Sequence, residues 1–353
     1  MRDARGVVFN ARRELDEIGG KSVLSIIGSD GQPRSSGIRN FDELAKVLAE
    51  AEIGFRPELK LFRTDTEMLY DPKSKMWPVR DQGTSRGTCV PFAALAALEL
   101  DVLRKQDPPT GVDYAEEFVY ARSRNELGHL GPFKEPKDDT GGATFLVQAA
   151  KALIDFGVPP EERLPYKYIQ NDPDWTASVS QRVSDEALLN RLDEGRVFVT
   201  LKILCRPEIE DELTEPFFET EALVVEFIQA SLLSGAAVSI TLPVYPTGNH
   251  SPWTVGNAWK TGVIPDLTDA VKKAGSNKVG HAVCIIGMVP DPAAAEGEIK
   301  GWFIFRNSWG TRFGYARPQN PVLDKVLAPG YGAISFAHVA EACWGMMALL
   351  PSG

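Results

Sequence analysis

The chain has 353 residues, of which 43% are hydrophobic and 24% are charged, so it can bury a full core and is not of the disordered class. Its 38 Lys and Arg residues against 48 Asp and Glu residues give a net charge of −10. An acidic chain is repelled by phosphate backbones and anionic membranes, so we expect neither nucleic acid nor a membrane as a partner. The length exceeds that of one compact domain and favours two lobes, or one domain with an added segment.

The amino terminus and the cysteines indicate a cytoplasmic protein. The apolar run at 7–9 is too short for an export signal or a membrane span. The four cysteines are scattered and include no close pair, so we expect no disulfide framework. The cysteines and histidines outside the motifs below show no metal-ligand spacing, so we expect neither a metal nor an organic cofactor. These residues are Cys205, Cys284, Cys343, His129, His250 and His338.

Residues 1–60 form an N-terminal extension with one predicted helix. Phe41, Leu44 and Leu48 share one face of this helix, which Asn40 can cap. We expect another part of the protein to pack against this apolar face. The extension is therefore either a structural layer on the body of the protein or a pro-segment that lies over an active cleft.

The next part of the chain is mainly helical. The run from Val90 to Leu103 is apolar almost all round the helical wheel, which is typical of a helix in the middle of a domain. Further helices are predicted from Tyr114 to Arg124 and from Ala143 to Phe156, where Gly157 is the C-terminal stop.

After about residue 195 the pattern becomes β-rich, which gives an α+β fold class. The predicted strands are 197–204, 236–244, 282–289, 302–306 and 332–336. The strands starting near His281 and ending near Asn307 are predicted to be antiparallel neighbours, which places these two side chains close together. We interpret 206–221 as a surface loop and 251–269 as irregular.

A thiol, an imidazole and an amide follow one another along the chain. Cys89 stands where a loop gives way to the apolar helix, and the helix N-terminus favours thiolate over thiol. The Asn307 amide could orient the His281 ring, while Trp309 shields their hydrogen bond from water. Taken singly, a cysteine such as Cys89 is more often inert in the core, and a histidine such as His281 is more often a buried core residue than a base.

Together these segments resemble the papain-like cysteine peptidases. The matching stretches are 78–83, 87–89, 92–93, 139–142, 164–166, 281–283 and 307–310, in the family's order over about residues 70 to 340. The resemblance implies a papain-like two-lobe fold. A helical lobe at 61–190 would carry Cys89, a β-barrel-like lobe at 191–353 would carry His281 and Asn307, and the active-site cleft would lie between them.

The resemblance also implies the roles of the site residues. Cys89 would be the nucleophile, His281 the base, and Asn307 the residue that orients the ring. Gln82 would donate its side-chain amide to the oxyanion beside the backbone N–H of Cys89. An extended peptide or protein substrate would pair with the backbone of two cleft glycines and contact an aromatic ring at the site. These substrate-binding residues are Gly141, Gly142 and Trp309.

The sequence departs from the family at several positions. Gln82 and Cys89 are seven positions apart instead of six, so a residue such as Arg86 must bulge. The usual disulfide cysteine before the nucleophile is absent, with Ser85 or Arg86 near its place. Two further changes lie next to catalytic positions: Val90-Pro91 replaces Trp-Ala, and Gly280 replaces Asn or Asp.

Peptide hydrolysis through a thioester is the function that these motifs favour. A papain-like peptide ligase or transpeptidase would use the same residues. A non-catalytic scaffold that binds peptides is a third hypothesis, suggested by the Gln82 spacing and by Val90-Pro91. The motifs do not indicate the oligomeric state.

Overall fold

The structure is a computed structural model that describes ten stretches of the chain and two short strands. The stretches are 67–107 except 75, 111–128, 142–169, 172, 175–200, 221–244, 253, 256–267, 280–291 and 300–349, and the strands are 26–27 and 33–34. The helix predicted around Phe41 to Leu48, residues 206–220 of the predicted loop, and Gly141 lie outside the described residues.

Eight α-helices lie in the described residues. They are α1 Cys89–Lys105, α2 Glu116–Asn125, α3 Leu146–Asp155, α4 Gln181–Ala187, α5 Glu221–Ser234, α6 Gly256–Thr261, α7 Pro321–Val326 and α8 Phe336–Ala342. The first three confirm the helices predicted from the sequence in this part of the chain. Gly157 has a φ of +70°, the left-handed conformation that glycine adopts readily after a helix. The segment interpreted as irregular contains α6, so that interpretation was wrong for these residues.

The strands form two antiparallel sheets. They are β1 Ile26–Ile27, β2 Pro33–Arg34, β3 Glu67–Met68, β4 Val197–Thr200, β5 Val238–Pro243, β6 Gly280–Pro290, β7 Gly301–Arg306, β8 Tyr331–Ser335 and β9 Gly345–Leu349. β1 pairs with β2, while the other seven form one sheet in the order β4-β9-β5-β6-β7-β8, with β3 added on β6. The end strands β4 and β8 do not pair with each other in the described part of the chain. The sheet is therefore open, and the expected barrel-like closure is not confirmed.

Helix α1 lies in the interior, as its apolar pattern predicts. It packs against β5, β6 and β9 on the sheet side and against α2 and α3 on the other. Leu95 and Leu100 are fully buried in the main hydrophobic cluster, which includes residues of both the helices and the sheet. The Ser239 hydroxyl donates to the Ala93 carbonyl oxygen at 2.8 Å and joins β5 to the helix. The sheet therefore holds the start of α1 in a fixed place.

Two backbone pairings bring distant segments of the sequence together. β6 and β7 are antiparallel, with Cys284 opposite Arg306, so the residue after β7 lies near the start of β6. The loop before α1 pairs with the chain after β7 through an isolated bridge between Asp81 and Trp309. Its outer hydrogen bonds run from Gln82 N to Ser308 O at 2.7 Å and from Gly310 N to Arg80 O at 3.1 Å.

None of the helices in the described ranges has the length and apolar character needed to cross a membrane.

Candidate active site

Cys89 is the first residue of α1, as predicted, and its thiol is buried. Thr88 precedes the helix without capping it, because its hydroxyl instead hydrogen-bonds with the hydroxyl of Tyr166 at 2.7 Å. The first amides of the helix thus remain available to the thiol. Backbone hydrogen bonds from Ala282, Val90 and Cys89 itself each lower the pKa of the Cys89 thiol.

Burial has a larger effect on this thiol than the helix terminus. It raises the pKa of Cys89 to about 11, in spite of the backbone hydrogen bonds. The sequence predicts a thiolate because it reveals the helix terminus, and the backbone hydrogen bonds there do lower the pKa of Cys89 as predicted. The net direction is opposite, because the depth at which the sulfur is buried depends on the sheet packed against α1.

His281 and Asn307 meet through their side chains, as the strand pairing predicts. His281 Nε2 lies 2.9 Å from Asn307 Oδ1, and both residues are buried. The backbone N–H of Ser308 donates to the same Oδ1 at 2.8 Å, which identifies that atom as the amide oxygen. Nε2 therefore carries the ring proton in neutral His281, and Nδ1 is the nitrogen that can accept a proton.

The environment of His281 favours the neutral ring. Burial lowers the pKa of His281 to about 4, while the hydrogen bond with Asn307 acts in the opposite direction. The shifts of Cys89 and His281 each reflect the burial of a single charge. A thiolate and an imidazolium formed as a pair would attract each other, a stabilisation that neither of these shifts includes.

Aromatic rings enclose His281. The Trp309 ring stacks on the imidazole with 4.3 Å between centroids and 23° between planes. Trp253 contacts the imidazole edge-on at 5.7 Å, and Trp259 stacks on Trp309 at 5.9 Å. Trp309 therefore covers the ring as expected. The sequence did not reveal Trp253, although a tryptophan in a polar, irregular stretch was an available signal.

Gln82 is placed beside Asn307 and Ser308. Its Oε1 accepts from the Ser308 hydroxyl at 2.6 Å, and its Nε2 donates to the Arg86 carbonyl oxygen at 3.5 Å. Both ends of the side-chain amide are thus held. Ser308 lies within the 307–310 motif, which predicts no separate role for it. In the structure its backbone N–H orients Asn307, while its hydroxyl orients Gln82.

Of the two predicted substrate-binding glycines, Gly142 lies within the described residues and Gly141 lies outside them. Gly142 has a φ of +69°, and its carbonyl oxygen accepts from the hydroxyl of Tyr120 at 2.8 Å. Its contact with a peptide stays a prediction.

A buried acidic residue of α1, to which the sequence analysis assigns no role, joins this helix to the end of β7, next to Asn307. Glu99 is 1% exposed, and its Oε2 lies 3.2 Å from Arg306 Nη1. The same oxygen accepts from Trp77 Nε1 at 2.8 Å, while Oε1 is paired with Arg80. A charged residue within the otherwise apolar stretch 90–100 was the available signal. Its partners, Arg80 and Arg306, directly flank the segments that carry Gln82 and Asn307.

Within the described ranges, no three His, Cys, Asp or Glu side chains converge as metal ligands.

Among solved structures, xylellain, a cysteine protease from Xylella fastidiosa, is similar to this chain. The match has 18% identity and a TM-score of 0.54, and it covers 90% of this chain and 96% of that one. The chain has a papain-like fold. At this identity the likeness establishes the fold, so the activity must be argued from the site.

Two further matches have 18% identity each. A structure concerning the mite allergens Blo t 1 and Der p 1 matches over 96% of this chain and 90% of that chain, with a TM-score of 0.47. The cysteine protease CMS1MS2 of Carica candamarcensis, in complex with E-64, matches over 78% of this chain and 93% of that chain, with a TM-score of 0.42. No family model and no curated protein matches the sequence.

Proposed function

We propose that this papain-like chain is a cysteine peptidase that hydrolyses peptide bonds through a thioester acyl-enzyme. The observation that carries the proposal is the hydrogen bond from His281 Nε2 to Asn307 Oδ1. This bond leaves Nδ1 as the proton acceptor of a ring whose neighbour in the chain, Ala282, hydrogen-bonds with the Cys89 thiol. A nucleophile, a base and an orienting group therefore occur in one connected arrangement.

The reaction would begin with attack by the Cys89 sulfur on the carbonyl carbon of the peptide bond. As the carbon–sulfur bond forms, the thiol proton passes to His281 Nδ1 and the carbonyl oxygen becomes an oxyanion. When the C–N bond breaks, the ring returns this proton to the leaving amine. Water then attacks the thioester with His281 as base, which releases the acid and restores the thiol.

The oxyanion would accept hydrogen bonds from the backbone N–H of Cys89 and from Gln82 Nε2. Both donors have fixed positions, because Cys89 begins α1 and the Gln82 amide is hydrogen-bonded at both ends. Donors fixed before the reaction cost no reorganisation in the transition state, and loss of one such donor typically lowers kcat by about 10² to 10³.

The decisive experiment is Cys89→Ala in the full-length chain, assayed by mass spectrometry on a peptide library. We expect cleavage to disappear in this variant. Cys284→Ala is the matched control, because it removes a fully buried thiol from the neighbouring strand β6. Cleavage that persists in Cys89→Ala would contradict the assignment of the nucleophile.

A non-catalytic peptide-binding scaffold is the second candidate, and the burial of Cys89 favours it. A thiol whose pKa is raised to about 11 is almost wholly protonated at pH 7. The rate at which iodoacetamide alkylates Cys89 at pH 7 separates the two functions. A rate above that of free cysteine supports the peptidase, and a rate at or below it, without cleavage of any library peptide, supports the scaffold.

A further inference from the structure

Arg86, in the loop before Cys89, has a buried side chain whose two terminal nitrogens both have partners, while its Nε has none among the described residues. Its two terminal nitrogens lie 2.9 Å and 2.8 Å from the two carboxylate oxygens of Glu117, a bidentate pair in which both side chains are almost fully buried. They also donate to the backbone carbonyl oxygens of Lys167 and Trp175. Burial alone would lower the pKa of Arg86, but the hydrogen bond with Glu117 helps to raise it, so the guanidinium stays charged.

Three aromatic rings surround this ion pair. The Arg86 guanidinium carbon lies 4.7 Å from the centroid of Tyr166, 5.2 Å from that of Tyr120 and 5.3 Å from that of Trp175. Such contacts suit the planar, delocalised charge of arginine more than the compact charge of lysine.

The backbone of the same residue faces the catalytic groups. The Arg86 carbonyl oxygen accepts from Thr88 N at 2.9 Å, a three-residue turn that accommodates the additional residue between Gln82 and Cys89. It also accepts from Gln82 Nε2 at 3.5 Å. Arg86 is thus anchored by its side chain and contacts the proposed oxyanion donor through its backbone.

We infer that Arg86 is a positioning residue for the oxyanion site, an inference that rests on the proposed peptidase function. The pair with Glu117 fixes the Arg86 carbonyl, which holds one amide proton of Gln82 and leaves the other for the substrate oxygen. Ser308 holds the opposite end of the same amide. Gln82 is preorganised only when both supports are in place.

The aromatic rings around Arg86 extend this arrangement to neighbouring segments. Tyr166 OH donates to the Gln82 carbonyl oxygen at 2.7 Å, and Tyr120 OH donates to that of Gly142 at 2.8 Å. The cluster therefore supports the backbone of the oxyanion donor and that of a predicted substrate-binding glycine.

The test compares two reactions of Cys89 in full-length Arg86→Lys. Acylation by a peptide ester or amide develops an oxyanion, whereas alkylation by iodoacetamide does not. We expect kcat/KM for acylation to fall about tenfold or more, since small misplacements of catalytic groups have effects of this size. The alkylation rate should stay within about twofold. Arg182→Lys, the same substitution at a 79% exposed side chain, is the matched control and should change neither rate.

Two further variants make the result independent of folding defects. Arg86→Met with Glu117→Leu removes both charges together, which avoids leaving one unpaired in the core, and should show the same selective loss of acylation. In a Gln82→Ala background, Arg86→Lys should lower kcat/KM for acylation almost no further, because the donor that Arg86 positions is already absent.

Each outcome has a distinct meaning. If acylation and alkylation fall together in step with the melting temperature, Arg86 is structural only and the inference is wrong. If Gln82→Ala impairs acylation but Arg86→Lys and the double variant do not, the inference fails while the peptidase function stands. If the wild-type protein acylates no faster than Cys89→Ala, the proposed function fails, and the inference fails with it.

Discussion

The two regions that meet at the site are held in place by different kinds of interaction. His281 and Asn307 are placed by backbone pairing between β6 and β7, in which Cys284 lies opposite Arg306 and Ile285 opposite Phe305. Gln82 and Cys89 are placed by a loop that adds charged side-chain anchors, chiefly Arg86 and Arg80, to its short backbone bridge with Trp309. Backbone pairing tolerates substitution of side chains, whereas a buried charge depends on one particular partner. Variants should therefore affect the two regions differently.

The largest expected effect comes from the sheet region. His281→Gln removes the proposed base while the β6 ladder remains, so kcat/KM for peptide cleavage should fall by about 10³ to 10⁴ with little change in fold. Steady-state kinetics and circular dichroism measure the two quantities. A variant that unfolds instead would show that the imidazole, and not only the backbone, holds this region in place.

Removing a charged anchor should act mainly on stability. Glu99→Ala leaves Arg306 buried without its carboxylate partner, so the free energy of unfolding should fall by about 3 to 5 kcal/mol in urea titrations. Arg317→Ala is the control, because its side chain is 90% exposed and lies 4.0 Å from Asp324, so the loss should be below about 1 kcal/mol. Equal losses would contradict the claim that a buried charge depends on one particular partner.

The burial of His281 predicts a pH dependence of stability. Its pKa is lowered from 6.5 to about 4 in the folded chain, so between these values the unfolded chain binds more protons. Its contribution is complete above pH 6.5 and falls by about 3 kcal/mol as the pH decreases to 4. His281→Gln should lose that part of the dependence. Urea titrations at several pH values measure it, and parallel curves for the two proteins would contradict the shift.

The smallest effect is expected at the junction of the two regions. Ser308→Ala removes the hydroxyl that holds Gln82 Oε1, a hydrogen bond worth about 1 kcal/mol, so kcat/KM should fall roughly fivefold. Ser231→Ala removes a comparable buried hydrogen bond within α5 and should leave kcat/KM unchanged. An unchanged Ser308→Ala enzyme would mean that Arg86 alone positions Gln82.

Local patterns in the sequence predicted the sheet region more completely than the loop. The antiparallel pairing of β6 and β7 follows from two apolar runs and a turn, and it places His281 beside Asn307. The burial of α1 follows from its apolar periodicity in the same way. The closure of the sheet depends on how its end strands meet, which no local pattern reveals, and the expected barrel was not confirmed.

The anchors were not predicted because they join residues far apart in the chain. Arg86 pairs with Glu117 over 31 positions, and Glu99 pairs with Arg306 over 207. Each partner taken alone is an ordinary charged residue. Only the assembled core removes both from water and makes the pairing obligatory.

The ion pair between Arg86 and Glu117 also affects how the protein responds to redox conditions. The loop before Cys89 is anchored by the guanidinium of Arg86 and the carboxylate of Glu117, an ion pair that no reductant cleaves. Strongly reducing buffers that maintain Cys89 in its reduced form therefore leave this support of Gln82 intact.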